Sequence, residues 1–92
     1  MMRILWTRLA SQDLGRLHDF LKIVNPTAAT KTVQQLLKAP HVLLENPRIG
    51  ERLDEFEPRE IRRLVVARYE VRYEVKESVI HILRIWHTRE DR

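Results

Sequence analysis

The sequence contains no cysteine. That excludes a disulfide framework and a thiolate metal centre, and it suits a reducing compartment. Glycine is almost as scarce, with Gly15 and Gly50 standing far apart. Neither a glycine-rich phosphate loop nor a nucleophile elbow can be built from them. No apolar run approaches the roughly 20 residues of a membrane span. The opening MMRILWTRLASQDLG lacks the long apolar stretch and small-residue cleavage site of a secretory signal. These absences predict a cytoplasmic protein with no membrane partner, no metal and no other cofactor.

What is present fits one small domain spanning residues 1–92. A chain of this length buries only about 60–65% of its unfolded surface, so its stability margin is small. Seventeen Lys and Arg against thirteen Asp and Glu give a net charge of +4. Arginine dominates over lysine, and its planar fork suits carboxylates and phosphates. A basic surface of this kind fits nucleic acid or an acidic protein partner, and it also serves plain solubility.

The apolar pattern changes period halfway along the chain. Arg3 to Thr7 (RILWT) reads as a short strand. Ala10, Leu14, Leu17 and Leu21 recur at helical spacing and predict a helix from Leu9 to about Val24. Asn25-Pro26 breaks the pattern and restarts it, since Asn caps a helix and Pro fits its first turn. A second helix follows to about Leu44, with Ala29, Val33, Leu36 and Leu37 on its apolar side. Pro40 lies inside it and should kink or split it. Asn46-Pro47 and Gly50 then mark a turn.

Three strands complete the chain. Ile61 to Val66 is β-rich, and Tyr69 to Lys76 alternates cleanly between apolar and charged residues. Val79 to Trp86 (VIHILRIW) is nearly continuously apolar, as for a central strand buried on both faces. The expected fold is α+β in the order β-α-α-β-β-β. It is an antiparallel-dominated four-stranded sheet with a helix hairpin packed on one face. The other face stays open. In an undistorted last strand, Arg84 and Trp86 share one side, while His81, Leu83, Ile85 and His87 share the other. A bulge would reverse that parity.

Several residues invite a chemical reading. Arg62, Arg63, Arg68, Arg72, Arg84 and Arg89 all lie close to the sheet in sequence and could form an anion-binding surface. His87 is either a general acid or base or a strand-end residue that hydrogen-bonds the backbone. His81, mid-strand, reads as a satisfied core or surface histidine, while His18 and His41 lie on helices far from any partner and read as incidental. The acidic DEFEPRE segment, with Asp54, Glu55, Glu57 and Glu60, matches no ligand loop and reads as a solvated connection.

The order and spacing of certain pieces resemble the RelE/ParE superfamily of bacterial type II toxins. They are Ala10 with Asp13-Leu14, Asn25-Pro26 with Ala28-Ala29, LLENPRIG, RRLVVARYEVRYEV and the closing ILRIWHTRED. Together they cover nearly the whole chain. The ending Trp86-His87-Thr88-Arg89 looks ParE-like. The resemblance implies a toxin held in check by a cognate antitoxin, here of ribbon-helix-helix type with an acidic or amphipathic C-terminal segment. Operator DNA would be met only through that antitoxin.

Within the superfamily, ParE-like members inhibit DNA gyrase and RelE-like members cut messenger RNA on the ribosome. Glu70 follows Tyr69 where the nucleases commonly carry Arg, and no tyrosine follows Trp86. The resemblance therefore favours a non-enzymatic gyrase inhibitor that causes growth arrest. Trp86, His87, Arg89 and Arg92 are its target-binding candidates. The antitoxin candidates are Leu14, Leu17, Leu21, Val33 and Leu37 with Arg63, Arg72 and Arg84. The alternative is a ribosome-dependent nuclease using His87, Arg89 and Arg63. A third possibility is a degenerate toxin that acts only in repressing its own operon.

Overall fold

The computed structural model describes residues 1–90. Strand β1 (Arg3–Trp6) leads into helix α1 (Arg8–Val24) and helix α2 (Pro26–Lys38). A two-residue strand β2 (Glu51–Arg52) precedes β3 (Ile61–Val66), β4 (Tyr69–Lys76) and β5 (Val79–His87). The class is α+β, as expected, but the sheet has five strands in the order β1-β5-β4-β3-β2. The extra strand, β2, is short and wholly exposed, so its two residues carry no apolar alternation to read. β1 runs parallel to β5, and the other pairs are antiparallel.

The helix boundaries follow from capping. The Thr7 hydroxyl accepts the Ala10 N–H at 3.2 Å and opens α1. Asn25 serves both helices. Its own N–H donates to the Leu21 carbonyl, while its side chain accepts from Ala28 N at 3.1 Å. α2 stops at Lys38, earlier than the pattern predicts. Residues Ala39–Leu44 continue as a tighter 3-10 turn around Pro40, which has no N–H to extend the α ladder.

Leu14, Leu17, Leu36 and Leu43 pack against Val71, Tyr73, Ile80, Ile82 and Ile85 to form the core. The three isoleucines share that core only because β5 is bulged. Arg72 pairs with Arg84 but Tyr73 pairs with Ile82, which leaves Leu83 as the extra residue. The parity expected for an undistorted strand therefore fails. His81, Arg84 and Trp86 share the face turned away from the helices, and Ile85 joins Ile80 and Ile82 on the covered one. β5 is buried on one face only, its other side being half-buried.

The groups displaced by the bulge are met from the start of α1. The Thr7 hydroxyl donates to Ile82 O at 2.7 Å and to Leu83 O at 3.2 Å. The Asp13 carboxylate accepts from Ile85 N at 2.9 Å and from Arg84 Nε at 2.7 Å. On the other flank, Tyr73 is fully buried, and its hydroxyl donates to Pro47 O at 2.8 Å and accepts from Gly50 N at 3.0 Å. A Cβ on Gly50 would lie 2.6 Å from both Arg63 O and the Tyr73 hydroxyl. Glycine is required there for the close approach.

Candidate functional site

Two surfaces gather the residues that could recognise a partner, one on each side of the sheet. The first is a groove of about 880 Å³ between the helix hairpin and the β3–β4 turn. Leu17, Phe20 and Leu21 of α1, together with Tyr69, give it an apolar floor. Arg16, Arg68, Arg89 and Glu90 form a charged rim. Phe20 is 66% exposed although it lies in the middle of this apolar stretch. Ile23 and Val24 extend the exposed apolar strip to the end of the helix.

His87 enters this groove but is held in a structural arrangement. Its ring meets Tyr69 edge-on, with centroids 5.3 Å apart. Its Nδ1 accepts the Arg89 N–H at 3.1 Å, so the neutral ring carries its proton on Nε2. Glu90 folds back, accepting the His87 N–H and pairing with Arg16 at 2.6 Å. Burial raises the Tyr69 hydroxyl pKa, Glu90 adds to the rise and Arg68 offsets part of it.

The second surface is the open face. Arg72 lies between two rings, 4.8 Å from the Trp86 centroid and 5.6 Å from that of Phe56. Arg84 lies 5.0 Å from the same Trp86 ring. Beneath them Glu70 is only 2% exposed, and Arg72 donates to it at 2.9 Å while Arg63 approaches to 3.8 Å. Arg63 Nε also donates to Glu51 at 2.6 Å. Each of these arginines therefore faces a carboxylate. Arg72 Nε is the one buried side-chain nitrogen or oxygen without a hydrogen-bond partner among the described residues.

The sequence candidates divide between these surfaces. Trp86 lies on the open face, whereas His87 and Arg89 line the groove, so the target-binding set is not one patch. Arg92 lies outside the described residues. The nuclease set is split in the same way, because Arg63 pairs with Arg72 on the open face while His87 pairs with Tyr69 on the helix side.

Of the antitoxin set, Leu14 and Leu17 belong to the core, which leaves them little surface to offer a partner. Leu21 lines the groove. Val33 and Leu37 line a shallower depression with Trp6 and Gly15 on the other flank of α1. Arg63 and Arg72 are ion-paired on the open face, and Arg84 is paired with Asp13 of α1. The expectation that His18 and His41 stand alone is half corrected, since His18 Nδ1 lies 3.8 Å from Asp19.

Sequence reasoning missed Phe20, Phe56, Arg16 and the bridging role of Asp13. Phe20 and Ile23 lie off the Leu14-Leu17-Leu21 stripe, and apolar residues off the core stripe were the available signal. Nothing in the sequence links Phe56 to Arg72. Among the described residues no group of His, Asp or Glu could hold a metal. In the acidic connection Asp54, Glu55 and Glu57 are exposed, while Glu60 pairs with Arg48 and Arg62, and Arg59 pairs with Glu74.

Residues 4–92 match the family described as ParE toxin of type II toxin-antitoxin system, parDE. This chain belongs to the ParE toxin family. Toxin RelE2 of Caulobacter vibrioides is 36% identical over 87 residues, covering 95% of this chain and 96% of the relative. A solved structure described as the chromosomal ParDE TA system from P. aeruginosa superposes with a TM-score of 0.78 at 29% identity. That match covers 95% of this chain and 96% of the other. As a ParE-family chain it is the toxin of a type II toxin-antitoxin pair, which implies a cognate antitoxin. No helix among the described residues is long and apolar enough to cross a membrane.

Proposed function

We propose that this toxin inhibits DNA gyrase by binding it, without cutting RNA, and that it arrests growth in this way in the cytoplasm. The observation that carries this reading is the separation of His87 and Arg89 from Arg63 by the thickness of the sheet. Cleavage of a phosphodiester needs a proton-transfer group and a cation converging on one phosphate. Here the histidine is committed to Tyr69 and the Arg89 backbone, and Arg63 is bound to Glu51. Buried Glu70 adds negative charge where an RNA backbone would have to lie. The open face is instead rich in the residue types that dominate protein interfaces, Trp86 with Arg72 and Arg84.

The groove is the proposed antitoxin site. Its apolar floor and its Arg16, Arg68 and Arg89 rim suit an acidic amphipathic segment that orders on binding. A ribbon-helix-helix protein bearing such a segment would bring the pair to operator DNA, which the toxin itself need not touch.

The decisive assay is gyrase supercoiling and cleavage with toxin released from its antitoxin. Lost supercoiling with accumulated cleaved DNA is the expected result. The second reading, a ribosome-dependent nuclease, draws support from the name of the Caulobacter relative. It requires that gyrase be untouched and that His87→Ala abolish messenger cleavage while the domain stays folded.

A further inference from the structure

β1 is a terminal strand: β5 pairs with one of its edges, and among the described residues no strand pairs with the other. The Arg3 and Thr7 amides donate inward, to Ser78 O at 3.0 Å and to Ile82 O at 3.2 Å. Alternation along the strand therefore turns the Leu5 backbone toward β5. It turns the Ile4 and Trp6 amides and carbonyls outward. Exposed edges are commonly guarded by lysine, proline or a bulge. The strand RILW has none of these, and its one charge is at the first position.

The surroundings of this edge are apolar. Leu5 is 39% exposed, and Leu9, Leu37, Val42 and Leu44 are exposed as well. Leu9 lies in the first turn of α1, three residues after the strand, and Val42 and Leu44 come from the 3-10 segment packed beside it. Gly15 of α1 borders the depression that Trp6 and Leu37 line. A glycine inside a helix costs about 1 kcal/mol relative to alanine. Nothing lies within 4 Å of where its Cβ would be, so no neighbour in this chain requires it. The space suits the close approach of another backbone.

We infer that β1 pairs antiparallel with β1 of a second copy of this chain, across a twofold axis through Leu5. Self-pairing is favoured because this register satisfies every outward group of the strand. Ile4 of each copy exchanges both hydrogen bonds with Trp6 of the other, and Leu5 meets Leu5 at the axis. Centring on Ile4 or on Trp6 would leave some of those groups without a strand partner. The same register sets the two Arg3 side chains at opposite ends of the contact. An interface of this kind uses one patch on both copies and closes as a dimer. It leaves the Phe20 groove free and does not depend on the identity of the target.

A single engineered thiol tests it, because the chain has no cysteine of its own. In a non-hydrogen-bonded antiparallel pair the Cα atoms lie about 4.5 Å apart, within disulfide reach. Under mild oxidation Leu5→Cys should become a covalent dimer of twice the chain mass. Ile23→Cys, more exposed than Leu5 and at the far end of α1, should remain monomeric. Light scattering should find the unmodified chain dimeric and Leu5→Lys monomeric, with unchanged circular dichroism. Equal cross-linking at the two thiols, or a monomeric wild type at high concentration, overturns the proposal. So does hydrogen exchange in which the Ile4 and Trp6 amides become slow only when antitoxin is added. That result would assign the edge to an antitoxin strand.

Discussion

Asp13 shows how one side chain can organise two elements. It is 4% exposed, and its carboxylate is the acceptor for both Arg84 and the Ile85 amide. It takes the place of the strand partner that β5 lacks beyond the end of β1. Asp13→Ala should therefore destabilise the fold by about 2–3 kcal/mol, chiefly by orphaning a buried amide. The ion pair adds less, because the Arg84 side chain is 37% exposed and solvent screens it. Urea denaturation with an unchanged m-value would register the loss. Ala67 makes the opposite case. It turns the β3–β4 hairpin with φ at 55°, a conformation that a Cβ disfavours. Ala67→Gly should raise stability by roughly 1 kcal/mol, read as a higher urea midpoint. Failure to do so would mean that unfolded-chain entropy cancels the relief.

At the scale of elements, the connection from Pro47 to Glu60 is fastened to the sheet through Tyr73, Gly50 and a set of ion pairs. Arg59 donates twice to the Glu74 carboxylate, at 2.9 and 3.0 Å. That hydrogen bonding, more than the opposing cost of burial, holds the Glu74 carboxyl below its ordinary range. A carboxylate lowered in the folded state stabilises above its unfolded pKa, near 4.3. The contribution disappears as pH falls through the lowered folded value. The Tm gap between wild type and Glu74→Gln should thus be constant from neutral pH to about pH 5 and close in stronger acid. A gap that persists in acid would assign the effect to packing. Gly50→Ala belongs to the same scale. Its Cβ would meet Arg63 O and the Tyr73 hydroxyl, so it should destabilise by about 1–3 kcal/mol through overpacking, measured by thermal unfolding.

Across the whole molecule, the sheet separates two kinds of surface. The helix side presents an apolar groove with a cationic rim, and the open side presents aromatic rings with neutralised arginines. If the groove holds the antitoxin and the open face meets gyrase, the two activities are separable by mutation. Phe20→Asp should weaken antitoxin binding at least ~10-fold, because a central apolar anchor is replaced by a charge, while gyrase inhibition persists. Trp86→Ala should do the reverse. Titration calorimetry and the supercoiling assay measure the two effects. If either substitution abolished both activities in a folded protein, a single shared surface would be required.

The α+β order, both helices, the Asn25 break and the three long strands were legible in the sequence. Each rests on local periodicity and capping, which neighbouring residues determine among themselves. β2 was not legible, because two exposed residues have no period. The parity of β5 was not legible either. It turns on where Leu83 bulges, and the bulge is stabilised by Thr7 and Asp13 from the other end of the chain. The same long-range event decides that Trp86 faces away from the helices and that Ile85 is core. Burial of Leu14 and Leu17, isolation of His87 from Arg63, and neutralisation of the sheet arginines also depend on residues far apart in sequence. Local pattern specified the elements. Which side chains meet was left to the tertiary packing, because hydrogen bonds and charge pairs between distant residues leave no period in the chain.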